Sequence, residues 1–237
     1  MSTNRYVAVD GLRGMAVVLM VIYHFTFDLN YFGQVEIDFY NDPLWLGFRT
    51  LIVSMFLGLV GVSLHLATRH GVNRKAFMRR LLLLVFNAAL VSMGSYMVFP
   101  DSMIYFGILH FIVLASVLGL MMIRFYWLNL LLGAGLVAAG IFLQHPAFDH
   151  PLLHWVGLMT HKPITEDYVP LIPWFGVVLL GLFLGRRYFG GESVPHLLRW
   201  PGEPPAMRAL TLMGRHSLLI YMLHQPILIG TMFLLWG

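Results

Sequence analysis

Seven apolar stretches follow one another through a chain of 237 residues, and most of them approach or exceed the length that crosses a bilayer. They run over about 7–29, 46–67, 80–99, 103–123, 126–143, 169–188 and 211–235. A spanning helix needs about 20 predominantly apolar residues. Hydrocarbon offers the backbone no hydrogen-bond partners, so each stretch has to satisfy its own amides and carbonyls as a helix. The expected fold is therefore all-α and integral to a membrane, with about seven transmembrane helices in a single domain over 1–237. Hydrophobic residues make up 59% of the chain and charged ones only 11%, which leaves no material for a soluble domain. The N-terminal apolar segment is long and no small-residue cleavage pattern follows it, so it reads as a retained helix. There are no cysteines, so disulfides and thiolate nucleophiles or ligands do not arise.

Charge orients the helices. The segment after the second stretch holds Arg69, Arg74, Lys75, Arg79 and Arg80. Arg124 follows the fourth stretch, and Arg186, Arg187, Arg199 and Arg208 follow the sixth. The alternate segments hold Glu36, Asp38, Asp42, Asp101, Asp149, Glu166 and Asp167, with Lys162 the one basic residue clearly among them. The positive-inside rule then places the N-terminus in the cytoplasm and the C-terminus outside. The net charge of +4 is thus a topology signal and points to no nucleic-acid partner. Pro43, Pro100, Pro146, Pro170 and Pro201 punctuate the gaps.

The first stretch breaks its own rule. Asp10, Arg13, His24 and Asp28 lie in it, and at about 100° per residue they fall within about 60° of one another on a helix. An ionisable side chain at the bilayer centre costs at least about 2.5–3.5 kcal/mol and marks a functional position. Arg13 and His24 are eleven residues apart, roughly 16 Å along the axis, so the stripe follows the helix across much of the membrane. His24 and Asp28 form an i, i+4 pair, and a carboxylate at that spacing would fix the imidazole tautomer as a general base requires. Further polar residues sit in other stretches. Arg49 lies at the outer end of the second, suited to an acceptor or an oxyanion. His110 lies within the fourth. Tyr221, His224 and Gln225 share a face of the last, beside Pro226. Arg124 and Arg215 sit tight against spans, and Arg215 reads as the start of the last helix. His145, His150, His154 and His161 crowd the segment 144–168, but their spacing matches no tight metal motif, and no metal is expected.

The segment DGLRGMAVVLMVIYHF (10–25) resembles the opening helix of two related groups of membrane acyltransferases. In the acyltransferase-3 family the first helix carries an Arg, ten residues and then a His, the spacing of Arg13 and His24. The bacterial relatives of the heparan-alpha-glucosaminide N-acetyltransferase catalytic domain are the closer resemblance. GLVGVSLHLA (58–67), YFGILHFIVLA (105–115), PLIPWFGVVLLGLFLG (170–185) and GRHSLLIYMLHQPILI (214–229) look like that group's later blocks, in order. The lysosomal members carry an Asn near the place of His24 and a His slightly later, whereas this chain has no His between His24 and His65.

The resemblance implies transfer of an acyl group, most simply acetyl, from cytoplasmic acyl-CoA to a sugar hydroxyl or amine on a glycan or lipid-linked saccharide outside. The membrane would be the bacterial inner membrane, and the chain could associate with its own copies. His24 is the candidate base and Asp28 its orienter. His24 would take the acceptor's proton, or would itself be acylated and pass the group on. Arg13, Asp10, Arg124 and Arg215 are candidates for the anionic donor, because arginine's planar fork suits phosphate. Arg49, His110, Tyr221, His224 and Gln225 are candidates for the acceptor. Two other readings compete. One is a proton- or ion-coupled transporter using the Asp10/Arg13/His24/Asp28 stripe as a relay, though no internal repeat supports it. The other is a haem protein with His24, His110 and His224 as ligands. That reading needs paired depths, and the spans place His24 outward of the other two.

Overall fold

The structure is a computed structural model that describes residues 6–165, 167–191 and 204–236; Glu166, Arg199 and Pro201 lie outside them. The described residues form eight α-helices, α1 (Val7–Tyr31), α2 (Pro43–Thr68), α3 (Arg74–Val98), α4 (Ile108–Met122), α5 (Tyr126–Phe142), α6 (Leu171–Phe189), α7 (Pro205–Arg215) and α8 (Ser217–Trp236), with short 3-10 turns and no strand among them. Five of these, α1, α2, α3, α6 and α8, are long and apolar enough to cross a membrane, and α4 and α5 are apolar but shorter. The chain is therefore an integral, all-helical membrane protein.

Each of the seven expected stretches is helical, with three main changes of boundary: α3 begins at Arg74 rather than about 80, so Arg74, Lys75 and Arg79 lie in the helix. The fourth helix begins at Ile108 rather than about 103, because Pro100–Ser102 forms a 3-10 turn instead. The turn is tied down from α3: Ser95 Oγ accepts from the Ile104 amide at 2.9 Å, and Ser92 Oγ donates to the Ile104 carbonyl at 2.6 Å. The last stretch is two helices. α7 ends at Arg215, where the His216 amide donates back to the Leu212 and Met213 carbonyls, and α8 starts afresh at Ser217. Arg215 thus closes α7 and does not open the last helix.

Local chemistry sets the other ends. Gly33 and Gly71 take positive φ after α1 and α2, a conformation open to glycine without a Cβ clash. Asp42 Oδ1 accepts from the Leu44 amide at 2.8 Å where α2 begins, and Asn73 caps α3 through the Ala76 amide at 3.0 Å. Asp167 Oδ2 accepts from the Ile108 amide at 2.9 Å at the start of α4.

The chain divides into two compact units, Met1–Phe56 with Val194–Gly237, and Leu57–Ser193. In the first unit α1 packs on α7 and α8. A Cβ on Gly14 would run into the Leu210 carbonyl, and one on Gly214 into the Asp10 carbonyl, so α1 and α7 meet backbone to backbone. Tyr23, Phe39, Met20 and Ile52 bury a cluster to which Trp45, Phe48, Phe27 and Tyr221 add their rings. In the second unit α6 packs on α5 and α4, and α3 on α4. Small residues again allow close approach: Cβ atoms on Gly61 and Gly181 would meet the Val178 and Gly58 carbonyls.

The segment between α5 and α6 is held by its own imidazoles. His145 and His150 accept from the Ala147 and Leu152 amides at 3.1 and 3.3 Å. His154 Nε2 donates to the Asp149 carbonyl, so its Nδ1 accepts from the Tyr105 hydroxyl, both at 3.0 Å. Asp149 takes the Thr160 hydroxyl and amide at 2.7 and 2.8 Å, and these bonds hold its carboxyl below the usual carboxylate range.

Candidate functional site

The polar residues of α1 form three clusters, each completed from α7 or α8 within the first unit. At the N-terminal end of α1, Asp10 lies in the first turn, where its charge favours the helix dipole. Arg13 Nη1 donates to Asp10 Oδ1 at 2.8 Å, one turn along the same helix. Arg215 of α7 brings its Nε to 3.5 Å from Asp10 Oδ2, an ion-pair distance without a hydrogen bond. The glycine contact that lets α7 lie against α1 is what brings Arg215 there. Two guanidiniums face one buried carboxylate.

Toward the other end of α1, His24 meets His224 of α8. His24 Nδ1 lies 3.0 Å from the Met20 carbonyl and 3.2 Å from His224 Nε2, and the ring centroids are 4.8 Å apart. His224 Nδ1 lies 2.6 Å from the Tyr221 carbonyl. A carbonyl only accepts, so both Nδ1 atoms carry the proton. His224 Nε2 is then a lone pair and accepts from the same Nδ1–H of His24. That leaves His24 Nε2 with a lone pair and no hydrogen-bond partner among the described residues, on a half-buried ring.

The third cluster is Asp28 with Gln225. Gln225 Nε2 donates to Asp28 Oδ1 at 3.3 Å, while Asp28 Oδ2 and Gln225 Oε1 are buried and unpartnered. Asp28 is only 3% exposed. Next to it Pro226 lacks the amide that would bond the Met222 carbonyl four residues back.

Two expectations are corrected by this geometry. Asp28 does not hydrogen-bond His24: the imidazole's protonated nitrogen turns back to the Met20 carbonyl and across to α8. The partner that the i, i+4 spacing nominated is displaced by one 200 residues away in sequence. His24 and His224 also share one depth, whereas the spans placed His24 outward. Their nitrogens touch, so no iron fits between these two rings.

The remaining candidates are not members of these three clusters. Arg49, half-buried on α2, makes no hydrogen bond or ion pair among the described residues. His110 belongs to the second unit. Its Nδ1 accepts from the Gly107 amide at 3.3 Å and its Nε2 faces Ser92 Oγ at 3.2 Å, so both nitrogens are spent on the start of α4 and its link to α3. Arg124, also in the second unit, is exposed, and its carbonyl accepts from Arg186 at 3.2 Å. Among the described residues no group of three or more His, Asp or Glu side chains could hold a metal ion.

Neither the curated proteins nor the solved structures give a match to this chain. Residues 5–226 match the family described as heparan-alpha-glucosaminide N-acetyltransferase, catalytic. That stretch contains every member of the three clusters, and the chain belongs to this family, whose character is that of a membrane enzyme of the acetyltransferase type.

Proposed function

We propose that the protein is a single-domain acyltransferase of the bacterial inner membrane. It crosses the membrane seven times with its N-terminus in the cytoplasm. It moves an acetyl or related acyl group from cytoplasmic acyl-CoA to a hydroxyl or amine of a glycan or lipid-linked saccharide outside. The observation that carries this reading is the state of His24: one nitrogen is pinned as a donor and the other is left as an open lone pair. A general base needs that combination, with its tautomer fixed and its acceptor nitrogen free to meet substrate.

The steps balance around that nitrogen. The acceptor's hydroxyl or amine oxygen or nitrogen attacks the thioester carbonyl and gives its proton to His24 Nε2. The new C–O or C–N bond forms, the C–S bond breaks, and the proton passes to the leaving thiolate, which departs as the free thiol of CoA. His224 takes the orienting role that Asp28 had by spacing alone. Arg49 is the proposed cation for the developing oxyanion or the acceptor. Asp10, Arg13 and Arg215 receive the donor's phosphates, for which two arginine forks against one carboxylate are suited. Arg124 adds cationic surface in the second unit. The flexible arm between the phosphates and the thioester of an acyl-CoA then covers the distance along α1 from Arg13 to His24, roughly 16 Å.

The test is acetyl-CoA binding by calorimetry in purified protein, wild type beside Arg13→Ala and His24→Ala. Saturable binding that weakens at least tenfold in Arg13→Ala and survives in His24→Ala is the expected result. If neither acetyl-CoA nor a longer acyl-CoA binds the wild type, the acyltransferase reading fails.

A further inference from the structure

α3 gives the fold one side and leaves much of its surface open. Of its 25 residues only Leu84 and Ala88 are buried, and it packs on α4 and the 3-10 turn before that helix. The exposed Leu82, Leu83, Phe86 and Met93 need nothing but lipid around them. Asn87 needs more. It lies seven residues, about 10 Å, beyond Arg80, and eleven residues, roughly 16 Å, before the end of the helix at Val98. That is inside the apolar run of a helix long enough to cross a membrane.

A carboxamide has two N–H donors and two lone pairs on its oxygen. One N–H of Asn87 is spent, because Nδ2 donates to the Leu83 carbonyl at 2.7 Å. A carbonyl only accepts, so this bond also fixes which way the amide faces. The second N–H and Oδ1 have no partner among the described residues. The side chain is partly exposed, and Oδ1 is open at the helix surface rather than sealed inside the protein. The other short polar side chains of this run, Ser92 and Ser95, are both spent on Ile104. Hydrocarbon offers Asn87 no such partner.

The neighbours of Asn87 say what meets it. Leu83, Asn87, Leu90, Gly94 and Met97 follow one another at steps of four, three, four and three, so they share a face. Leu83, Leu90 and Met97 are exposed, and a Cβ on Gly94 would meet nothing within 4 Å. Such steps make the seam of a left-handed helix pair, and a single Asn in the seam sets register and partner. A glycine on that face lets a second backbone approach. Two copies inserted in the same sense are related by an axis along the membrane normal, so each residue on the seam meets its own counterpart at equal depth. A carboxamide turned about that axis is complementary to itself in charge. The open N–H of each Asn87 meets the Oδ1 of the other.

We propose that α3 is a self-association surface. Two copies of the chain pair in parallel along Leu83, Asn87, Leu90, Gly94 and Met97, with reciprocal Asn87–Asn87 hydrogen bonds at the centre. The pairing uses no residue of the three clusters on α1 and does not rest on the acyl-transfer reading.

The experiment reconstitutes fluorophore-labelled protein in phosphatidylcholine vesicles over a range of protein-to-lipid ratios and counts copies by single-molecule photobleaching. The wild type should pass from dimer to monomer on dilution in lipid. Asn87→Leu, which keeps the volume and removes the amide, should raise the dissociation constant about three- to twentyfold, the range of interhelical hydrogen bonds in membranes. A second measurement does not depend on that variant folding. The chain has no cysteine, so Leu90→Cys and Ala89→Cys each report on a single position. Leu90 lies on the seam, and Ala89 is turned about 160° away from Asn87. Oxidation in the membrane should cross-link Leu90→Cys to twice the chain mass and leave Ala89→Cys as single chains. Monomers at every ratio, an unchanged constant in Asn87→Leu, or cross-linking of Ala89→Cys equal to that of Leu90→Cys overturns the proposal.

Discussion

The Met20 carbonyl and His224 Nε2 share the single Nδ1 proton of His24, and the two partners do different things. The carbonyl belongs to the same helix and selects the tautomer by itself. His224 stops the ring from turning about that bond, because a rotated imidazole would lose its second acceptor. Removing each residue should therefore give a distinct result. His24→Ala should lower turnover by the 10²–10⁴ typical of a lost general base. His224→Ala should leave the Nδ1-protonated tautomer of His24 intact by ¹⁵N NMR while lowering kcat by about ten- to a hundredfold, with KM for the donor unchanged. A shift of His24 to the Nε2-protonated form in His224→Ala would show instead that α8 selects the tautomer. Asp28→Asn should leave the His24 ¹⁵N signals in place, since no hydrogen bond joins the two. At this scale sequence periodicity put the four side chains on one helix face and nominated for His24 a hydrogen-bond partner, Asp28, that the geometry replaces with His224. The i, i+4 rule reports which side chains are near, but it does not report that a helix carbonyl four residues back is nearer still.

At the scale of elements, the informative contact is that of α1 with α7. Neither Gly14 nor Gly214 has room for a Cβ, and the atoms it would strike are backbone carbonyls rather than yielding side-chain ends. Gly14→Val should push the helices apart, cost about 1–3 kcal/mol as overpacking does, and separate Arg215 from Asp10. A melting curve reads the first effect. A weakening of acetyl-CoA binding comparable to that of Arg215→Ala reads the second. Wild-type stability and donor binding in Gly14→Val would mean that the helices do not meet there. The α7–α8 junction was illegible in the chain because the residues 211–235 are apolar enough on average to read as one span. The break at His216 carries no proline or glycine after it, and a carbonyl-to-amide closure is set by backbone angles, not by composition. The starts of α2 and α3, expected at about 46 and 80, fall earlier, at Pro43 and Arg74, where Pro43 and the cap Asn73 begin the helices for a local reason that mean hydropathy does not register.

For the whole molecule, the orientation proposed from arginine placement has a direct test, because the chain contains no cysteine to remove. Single cysteines at His70 and at Thr160, probed with a membrane-impermeant maleimide in intact cells and in inverted vesicles, should label from opposite sides. His70 should label from the cytoplasmic face and Thr160 from the outer one. Labelling of both from one side would overturn the proposed sidedness, and with it the placing of donor inside and acceptor outside. What the sequence by itself determined about this protein is what depends on short range. Its helices follow from apolar runs that hydrocarbon forces to bond internally. Its stripe follows from the helical repeat. Its membership of a membrane acetyltransferase family, which the match over residues 5–226 shows, is carried by motifs spread along the chain. Only the tertiary structure decided that His24 faces His224, Asp28 faces Gln225 and Asp10 faces Arg215. Each of those pairs joins α1 to a helix about 200 positions later, and the choice rests on which helix faces can approach closely. That is settled by missing Cβ atoms and packed rings rather than by spacing within any one segment.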